Sequence, residues 1–274
     1  MKSIYEFYRD NDNLIICDKK RDPFPTEHYH SKVEIYYAVT DGLSVTLSGV
    51  TYNMKRDSFV FVDSFDVHSN SGSGEFINVI IPDMYFESYK KLRGGRTLKQ
   101  KYFDDYASAK KVLSIITDLK DMTDRGDANF LQLEGIVKYL LGTIVSFTEF
   151  EEEKKERGDA LKEILVFIND NYRTGITLDG ISGKLGFNKH YVSHLLGRSL
   201  SENFNDYVNG LRIEYFVNNI DAEERIGKVA FDSGFSSMAT FYRAFEKRFD
   251  CSPKKFVALK SRGITPPVKT QSGR

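Results

Sequence analysis

Apolar and polar positions alternate along residues 13–82 in short runs broken by turn residues, the two-residue period of strands buried on one face. The runs predict strands over Leu14–Cys17, Val33–Thr40, Leu43–Leu47, Ser58–Val62 and Glu75–Ile81, with Asp41-Gly42 and Ser48-Gly49 as hairpin turns. Several short antiparallel strands with close turns predict a small barrel. The period then lengthens. Residues 104–124 and 129–149 read as two amphipathic helices separated by Arg125-Gly126-Asp127. One carries an apolar stripe of Val112, Ile115, Ile116 and Leu119; the other carries Leu133, Ile136, Val137, Leu140, Leu141 and Ile144. Such a stripe serves equally to cap the barrel or to face a second copy of the chain.

The charged run from Glu149 to Asp159, containing Gly158, reads as a linker. Beyond it the helical period returns twice in the same form. Leu178–Leu185, then Gly186-Phe187, then a helix from Asn188 to Arg198 make the first copy. Ile226–Ala230, then Ser233-Gly234-Phe235, then a helix through Phe241 to Arg248 make the second. In the second copy Ile226, Val229 and Ala230 share a face, and small Ala230 permits close approach of the following helix. Gly234 can take the left-handed backbone that ends the shorter helix. Phe241 and Phe245, four apart, anchor the longer one. Asn188 and Ser236 are the expected N-caps.

Two such units in tandem, joined by a helix from Phe204 to Ile220, predict sequence-specific DNA binding. A helix of about 17 residues is about 25 Å long, a strut suited to holding two recognition helices in successive major grooves roughly 34 Å apart. The exposed recognition positions in the first copy are His190, Ser193 and His194, with Lys189 nearer the phosphates. In the second, Ser237, Met238, Ala239, Thr240, Tyr242 and Arg243 lie at the start of the helix or on its open side, where Arg243 can donate two hydrogen bonds to a guanine edge.

The 274 residues suffice for two domains. Net charge is zero, with 41% apolar and 28% charged residues. The charge separates along the chain. From Asp159 onward 17 basic residues face 13 acidic ones, and the preceding residues hold 22 basic against 26 acidic. The positive part is the part with the two helical motifs, as phosphate contact requires. Cys17 and Cys251 lie far apart in different predicted domains and suggest no disulfide framework, which favours a reducing cytoplasm. The first twenty residues lack a signal-peptide core, and no run is long and apolar enough for a membrane span. No nucleophile elbow, phosphate-binding glycine loop or zinc-finger spacing is present.

At residues 160–257 the chain resembles the DNA-binding domain of AraC/XylS-type bacterial transcription regulators. The residues that carry the resemblance are Leu178, Ile181, Leu185-Gly186-Phe187, Tyr191-Val192, Phe204, Tyr207, Leu211-Arg212, Ile226, Val229-Ala230, Gly234-Phe235, Phe241, Arg243, Phe245 and Ser252-Pro253. The first motif departs from the pattern at Gly180, Gly183, Leu196-Gly197 and Ser201, and Asp250 stands where glycine is typical. The resemblance implies an α+β chain of two domains. A cupin-like sensing barrel at 1–100 is followed by a helical dimerisation segment at 101–149 and a linker at 150–159. A double helix-turn-helix at 160–262 and a flexible tail at 263–274 complete it. It also implies a homodimer, a small-molecule effector such as a sugar, RNA polymerase as a partner, and no catalytic role.

Within the barrel, His28, His30, Glu34 and Tyr36 share parity, so one unbroken strand would point them to one face; His68 comes from a later strand. The His-x-His-x3-Glu spacing with a distant His resembles the metal-binding pattern of cupin barrels, although Arg56-Asp57 replaces its Gly-Asp and no proline precedes His68. Three readings stay open. The residues bond one another at the barrel mouth, bind the effector, or hold a metal such as iron, manganese, nickel or zinc. The last would make a metal-dependent cupin enzyme with an accessory DNA-binding domain the alternative function. No other cofactor is called for.

Overall fold

The computed structural model describes residues 4–6, 14–152, 160–200, 202–221, 223–262, 264 and 266–267. The chain divides into two compact units, residues 1–155 and 156–274.

The first unit holds strands β1 (Ile4–Tyr5), β2 (Ile16–Lys20), β3 (His28–Tyr29), β4 (Val33–Ala38), β5 (Leu43–Leu47), β6 (Val50–Met54), β7 (Ser58–Val62), β8 (His68–Gly72) and β9 (Phe76–Ile81). Helix α1 (Glu87–Arg93), strands β10 (Arg96–Leu98) and β11 (Tyr102–Phe103), helices α2 (Tyr106–Arg125) and α3 (Phe130–Val145), and strand β12 (Phe150–Glu152) follow. Two five-stranded sheets form, in the orders β1-β3-β8-β5-β6 and β11-β7-β4-β9-β2. All pairings within them are antiparallel except that of β1 with β3.

The second sheet is buried on both faces, and alternation sorts its side chains. Tyr36, Ala38, Val60, Val62 and Phe76 pack against Leu43, Val45, Leu47 and Met54 of the first sheet, filling a flattened barrel. Val33, Ile35, Tyr37, Phe59, Phe61, Val79 and Ile81 turn outward and meet α2 and α3. The predicted stripes are part of this internal core: Val112, Ile116, Leu119, Val137, Leu140 and Ile144 have no solvent exposure, and Ile115 has 3%.

Two expectations about this region change as a result. The helical segment expected at 101–149 is no separate layer, because β11 already pairs with β7 and both helices share the core of the strands. The expected linker at 150–159 does not begin at its first residues, since Phe150, Glu151 and Glu152 pair with Leu98, Thr97 and Arg96. Residues 153–159 lie outside the described residues.

The second unit holds α4 (Ala160–Asn171), α5 (Leu178–Leu185), α6 (Lys189–Ser199), α7 (Phe204–Asn219), α8 (Ile226–Asp232), α9 (Met238–Arg248) and α10 (Pro253–Lys260). Thr177, Asn188, Asn203 and Ser252 cap the starts of α5, α6, α7 and α10 through their side chains. The cap of α9 is Ser237, whose hydroxyl accepts from the Thr240 amide at 3.3 Å, and not the expected Ser236. A cluster of aromatic rings, Phe216, Phe241, Phe245, Phe249 and Phe256, joins α7, α9 and α10. Of the predicted tail from residue 263, only 264, 266 and 267 are described, and the Pro267 carbonyl accepts from the Asp250 amide.

Candidate functional site: two recognition helices and a buried histidine cluster

Each helix-turn-helix is set by its turn. Gly186 takes φ +74° and caps α5 in the left-handed region. Gly234 takes φ +97°, and a Cβ there would lie 2.6 Å from the Arg173 carbonyl oxygen. The second turn therefore demands glycine for its backbone angle and for close approach of the 172–174 segment. That segment is held from several sides. Arg173 donates to the Asp232 carbonyl at 2.9 Å and lies 4.0 Å over the Tyr215 ring. Arg212 of α7 donates to the carbonyls of Tyr172 and Thr174 at 2.7 and 2.9 Å. The two motifs are thus tied through the end of α4 as well as through α7. No sequence signal pointed to Arg173.

On α6 the inner face buries Val192 and Leu196, leaving Lys189, His190, Ser193 and His194 exposed. Lys189 forms an ion pair with Asp179 at 2.7 Å. On α9 the inner face buries Phe241, Ala244 and Phe245, leaving Ala239, Tyr242 and Arg243 exposed and Met238 half-buried. Arg243 makes two long contacts to its own helix, at 3.4 Å to the Ala239 carbonyl and 3.4 Å to the Thr240 hydroxyl. It forms no ion pair with Glu246 among the described residues. A groove beside this helix is lined by Asn205, Asn209, Arg212, Thr240, Arg243 and Lys247, a set rich in hydrogen-bond donors.

The barrel cluster assembles by a different route from the one parity suggested. The chain bends at residues 30–32, so His28 lies in β3 of one sheet and Glu34 in β4 of the other. His68 sits directly across from His28 in the β3–β8 ladder. The cluster bridges the two sheets. It is also no open mouth: His28, His30, Glu34 and His68 are 0–1% exposed. Tyr36, one turn of the pleat further along β4, lies with its ring 6.2 Å from that of His68.

One ligand atom from each of His28, His30, Glu34 and His68 lies within 4.8 Å of the others. Each imidazole has its Nδ1 against a backbone carbonyl: Thr26 at 2.8 Å, Lys32 at 3.2 Å and Asp66 at 2.8 Å. A carbonyl only accepts, so every Nδ1 carries a proton and every Nε2 is left to face the cluster. Glu34 Oε2 lies 2.9 Å from His30 Nε2 and 3.0 Å from His68 Nε2. His28 Nε2 has no hydrogen-bond partner among the described residues and lies 3.8 Å from Glu6 Oε2.

Burial pushes the His28 pKa down to about 3, helped by the charge of His68. Burial opposes the ionised form of Glu34, but the bonds from His30 and His68 outweigh it and hold its carboxyl well below the usual range. Burial also opposes charge on His68, where Glu34 prevails and raises the pKa. Three imidazole nitrogens and one carboxylate converging at this range suit a divalent transition-metal ion, with each ring oriented by a backbone carbonyl behind it. The anchoring extends further: the Phe65 amide, at φ +63°, donates to the His30 carbonyl, and Lys101 pairs with Asp66 at 2.7 Å.

Residues 181–258 match the helix-turn-helix domain family. The regulatory protein SoxS of Escherichia coli K12 is 24% identical over 97 residues, 35% of this chain and 91% of SoxS. The melibiose operon regulatory protein of the same organism is 25% identical over 100 residues, 36% of this chain and 33% of its own length. ToxT from Vibrio cholerae, a solved structure, is 17% identical over 90% of this chain and 97% of ToxT, with a TM-score of 0.38. Residues 181–258 thus carry a helix-turn-helix domain, and the C-terminal unit is similar to bacterial regulatory proteins that include SoxS.

Proposed function

We propose that α6 and α9 enter the major groove of double-stranded DNA, with Lys189, His190, Ser193 and His194 of the first and Met238, Ala239, Tyr242 and Arg243 of the second at the duplex. The observation that carries this is the paired outward polar face of the two helices over apolar inner faces. Arg243 reads a guanine edge; its existing contacts, both at 3.4 Å, cost little to exchange. Lys189 gives up Asp179 for phosphate or stays with it, and so weighs less in specificity.

The effector sits in the barrel, at His28, His30, Glu34 and His68, beside Tyr36. The alternative, a metal-dependent cupin enzyme with an accessory DNA-binding domain, rests on the same four residues. Two copies act together on duplicated half-sites, through the outer faces of α2 and α3, where Tyr106, Leu131 and Tyr139 are 66%, 73% and 53% exposed. RNA polymerase is the further partner of a regulator that activates. The place of action is the cytoplasm; no described helix is long and apolar enough to cross a membrane.

Selection of bound fragments from the source genome by the full chain tests the reading. A recurrent sequence whose preference relaxes at one position on Arg243→Ala supports it; fragments without a shared sequence overturn it.

A further inference from the structure

We infer that the groove between α7 and α9 is a phosphate-binding site. Asn205, Asn209 and Arg212 form one wall, and Thr240, Arg243 and Lys247 form the other. This gives α7 a role beyond joining the two motifs. Where the phosphate belongs to a DNA strand, the inference rests on the reading of the second unit as a DNA reader and adds a contact to it.

Matched spacing on two helices builds the groove. Asn205, Asn209 and Arg212 stand at i, i+4 and i+7 of α7, and Thr240, Arg243 and Lys247 at i, i+3 and i+7 of α9. Residues so spaced share a helix face. Buried Val208 and Ala244 also line the groove. It encloses about 570 Å³, within the roughly 300–1,000 Å³ of small-ligand sites. The polar side chains all carry N–H or O–H donors, and they approach from two sides. Such a cradle suits a tetrahedral anion, whose oxygens point several ways, better than a planar carboxylate.

Charge is the second support. The lining holds three cations and one carboxylate, Asp206. Asp206 is already matched: it accepts from Lys247 at 2.6 Å and from the Asn203 side-chain amide at 2.8 Å. Arg212 and Arg243 form no ion pair among the described residues. Arg212 donates to the carbonyls of Tyr172 and Thr174, which fix its position and leave its charge unbalanced. Burial accordingly lowers its pKa. An anion arriving beside it relieves a cost that the fold already carries.

The third support is that the donors are at hand. Asn209 accepts from Arg212 at 3.4 Å through Oδ1, which turns its amide nitrogen away from that contact. The Asn205 side chain is exposed and makes no hydrogen bond among the described residues. Arginine, lysine, threonine and asparagine are side chains that meet phosphate oxygens along a duplex without reading its sequence. Position favours the duplex as the source, since Arg243, which reads a base edge, also forms part of the groove. The strand it reads carries its phosphates past the same wall.

The test uses the full chain and two variants, Lys247→Gln and Asn205→Asp. Asn205 lies in the first turn of α7, where an acid suits the helix dipole, so Asn205→Asp should melt no lower than the parent. In the first arm, affinity for a selected genomic fragment is measured across salt concentrations. Each variant should bind about tenfold more weakly, lower the slope of log affinity against log salt by about one, and select the same sequence as the parent. In the second arm, the isotopically labelled chain is titrated with inorganic phosphate at constant ionic strength and followed by nuclear magnetic resonance. Saturable shifts of the Asn205 and Asn209 side-chain amides, absent from a titration with chloride, mark binding of the free anion.

A lowered salt slope without saturable shifts assigns the site to the DNA backbone. Saturable shifts with an unchanged slope assign it to a free phosphorylated ligand. Absence of both overturns the inference, and so does a variant that folds as the parent does yet selects a different sequence. A chain that selects no fragment fails the regulator reading instead, and the phosphate titration still decides the groove.

Discussion

Arg243 and Lys189 are both cations at the open ends of recognition helices, and their surroundings assign them different weight. Lys189 already holds Asp179 at 2.7 Å, whereas Arg243 holds two contacts at 3.4 Å that barely qualify as hydrogen bonds. Arg243→Ala should cost about 1–3 kcal/mol at the specific site and relax the preference at one base position. A binding-site selection that returns the same motif from the variant would refute the role. The two cysteines differ as sharply. Both are free thiols. Cys17 is buried, donates to the Ile116 carbonyl, and burial pushes its pKa up to about 12. Because the thiolate is the reacting form, on the order of one in ten thousand Cys17 thiols is reactive at pH 8. Iodoacetamide at that pH should modify half-buried Cys251 first and spare Cys17 until the first unit unfolds, as mass spectrometry of digested samples would show.

At the scale of elements, α2 and α3 are decided by the sheet beneath them. Leu119 and Leu140 have no exposed surface. Burying an unpaired carboxylate in either place costs at least about 3 kcal/mol. Leu119→Glu or Leu140→Glu should therefore abolish the cooperative melt of the first unit, and a variant that keeps the parental circular dichroism would contradict the packing. The first motif offers the opposite sign. Gly183 and Gly197 sit inside α5 and α6 with open space where a Cβ would go. Gly183→Ala and Gly197→Ala should each stabilise the second unit by about 0.5–1 kcal/mol, since each removes backbone freedom from the unfolded chain. Gly234→Ala should destabilise it by more than that amount, because the added carbon meets the backbone of Arg173 at a left-handed φ. Thermal melts of the three variants give the signs directly.

At the scale of the molecule, a surplus of four positive charges from Asp159 onward gives one copy of the reader limited grip on phosphate. Linking two copies raises the effective concentration at adjacent half-sites without a new contact. Residues 159–274 alone should bind the selected sequence more weakly than the full chain. The loss should be reproduced by Leu131→Glu with Tyr139→Glu, on the outer face of α3, where both side chains are exposed and no core is disturbed. A full chain that sediments as a monomer with undiminished affinity would remove the dimer from the account.

Much of this was determined by the sequence alone wherever the controlling interactions are short in range. Strands β5 and β7 have the boundaries that alternation predicts, and α5 has the boundaries that its apolar period predicts. Asn188 and Gly234 perform the roles their chemistry suits, because a cap or a turn is settled within a few residues. Strand β8, His68-Ser-Asn-Ser-Gly, carries no apolar period and is held by its pairing with β5, which no local pattern records. The stripes on α2 and α3 named an apolar face but not what covers it. Only the tertiary structure decided that they lie on the outward-facing side of the second sheet. The histidine cluster is the clearest case. The residues were legible, yet parity along one strand was the wrong reason, since the chain leaves one sheet at residues 30–32 and enters the other. What brings His28 and His68 to Glu34 is the packing of two sheets face to face, an arrangement set by long-range register and burial that a periodicity of two residues cannot contain.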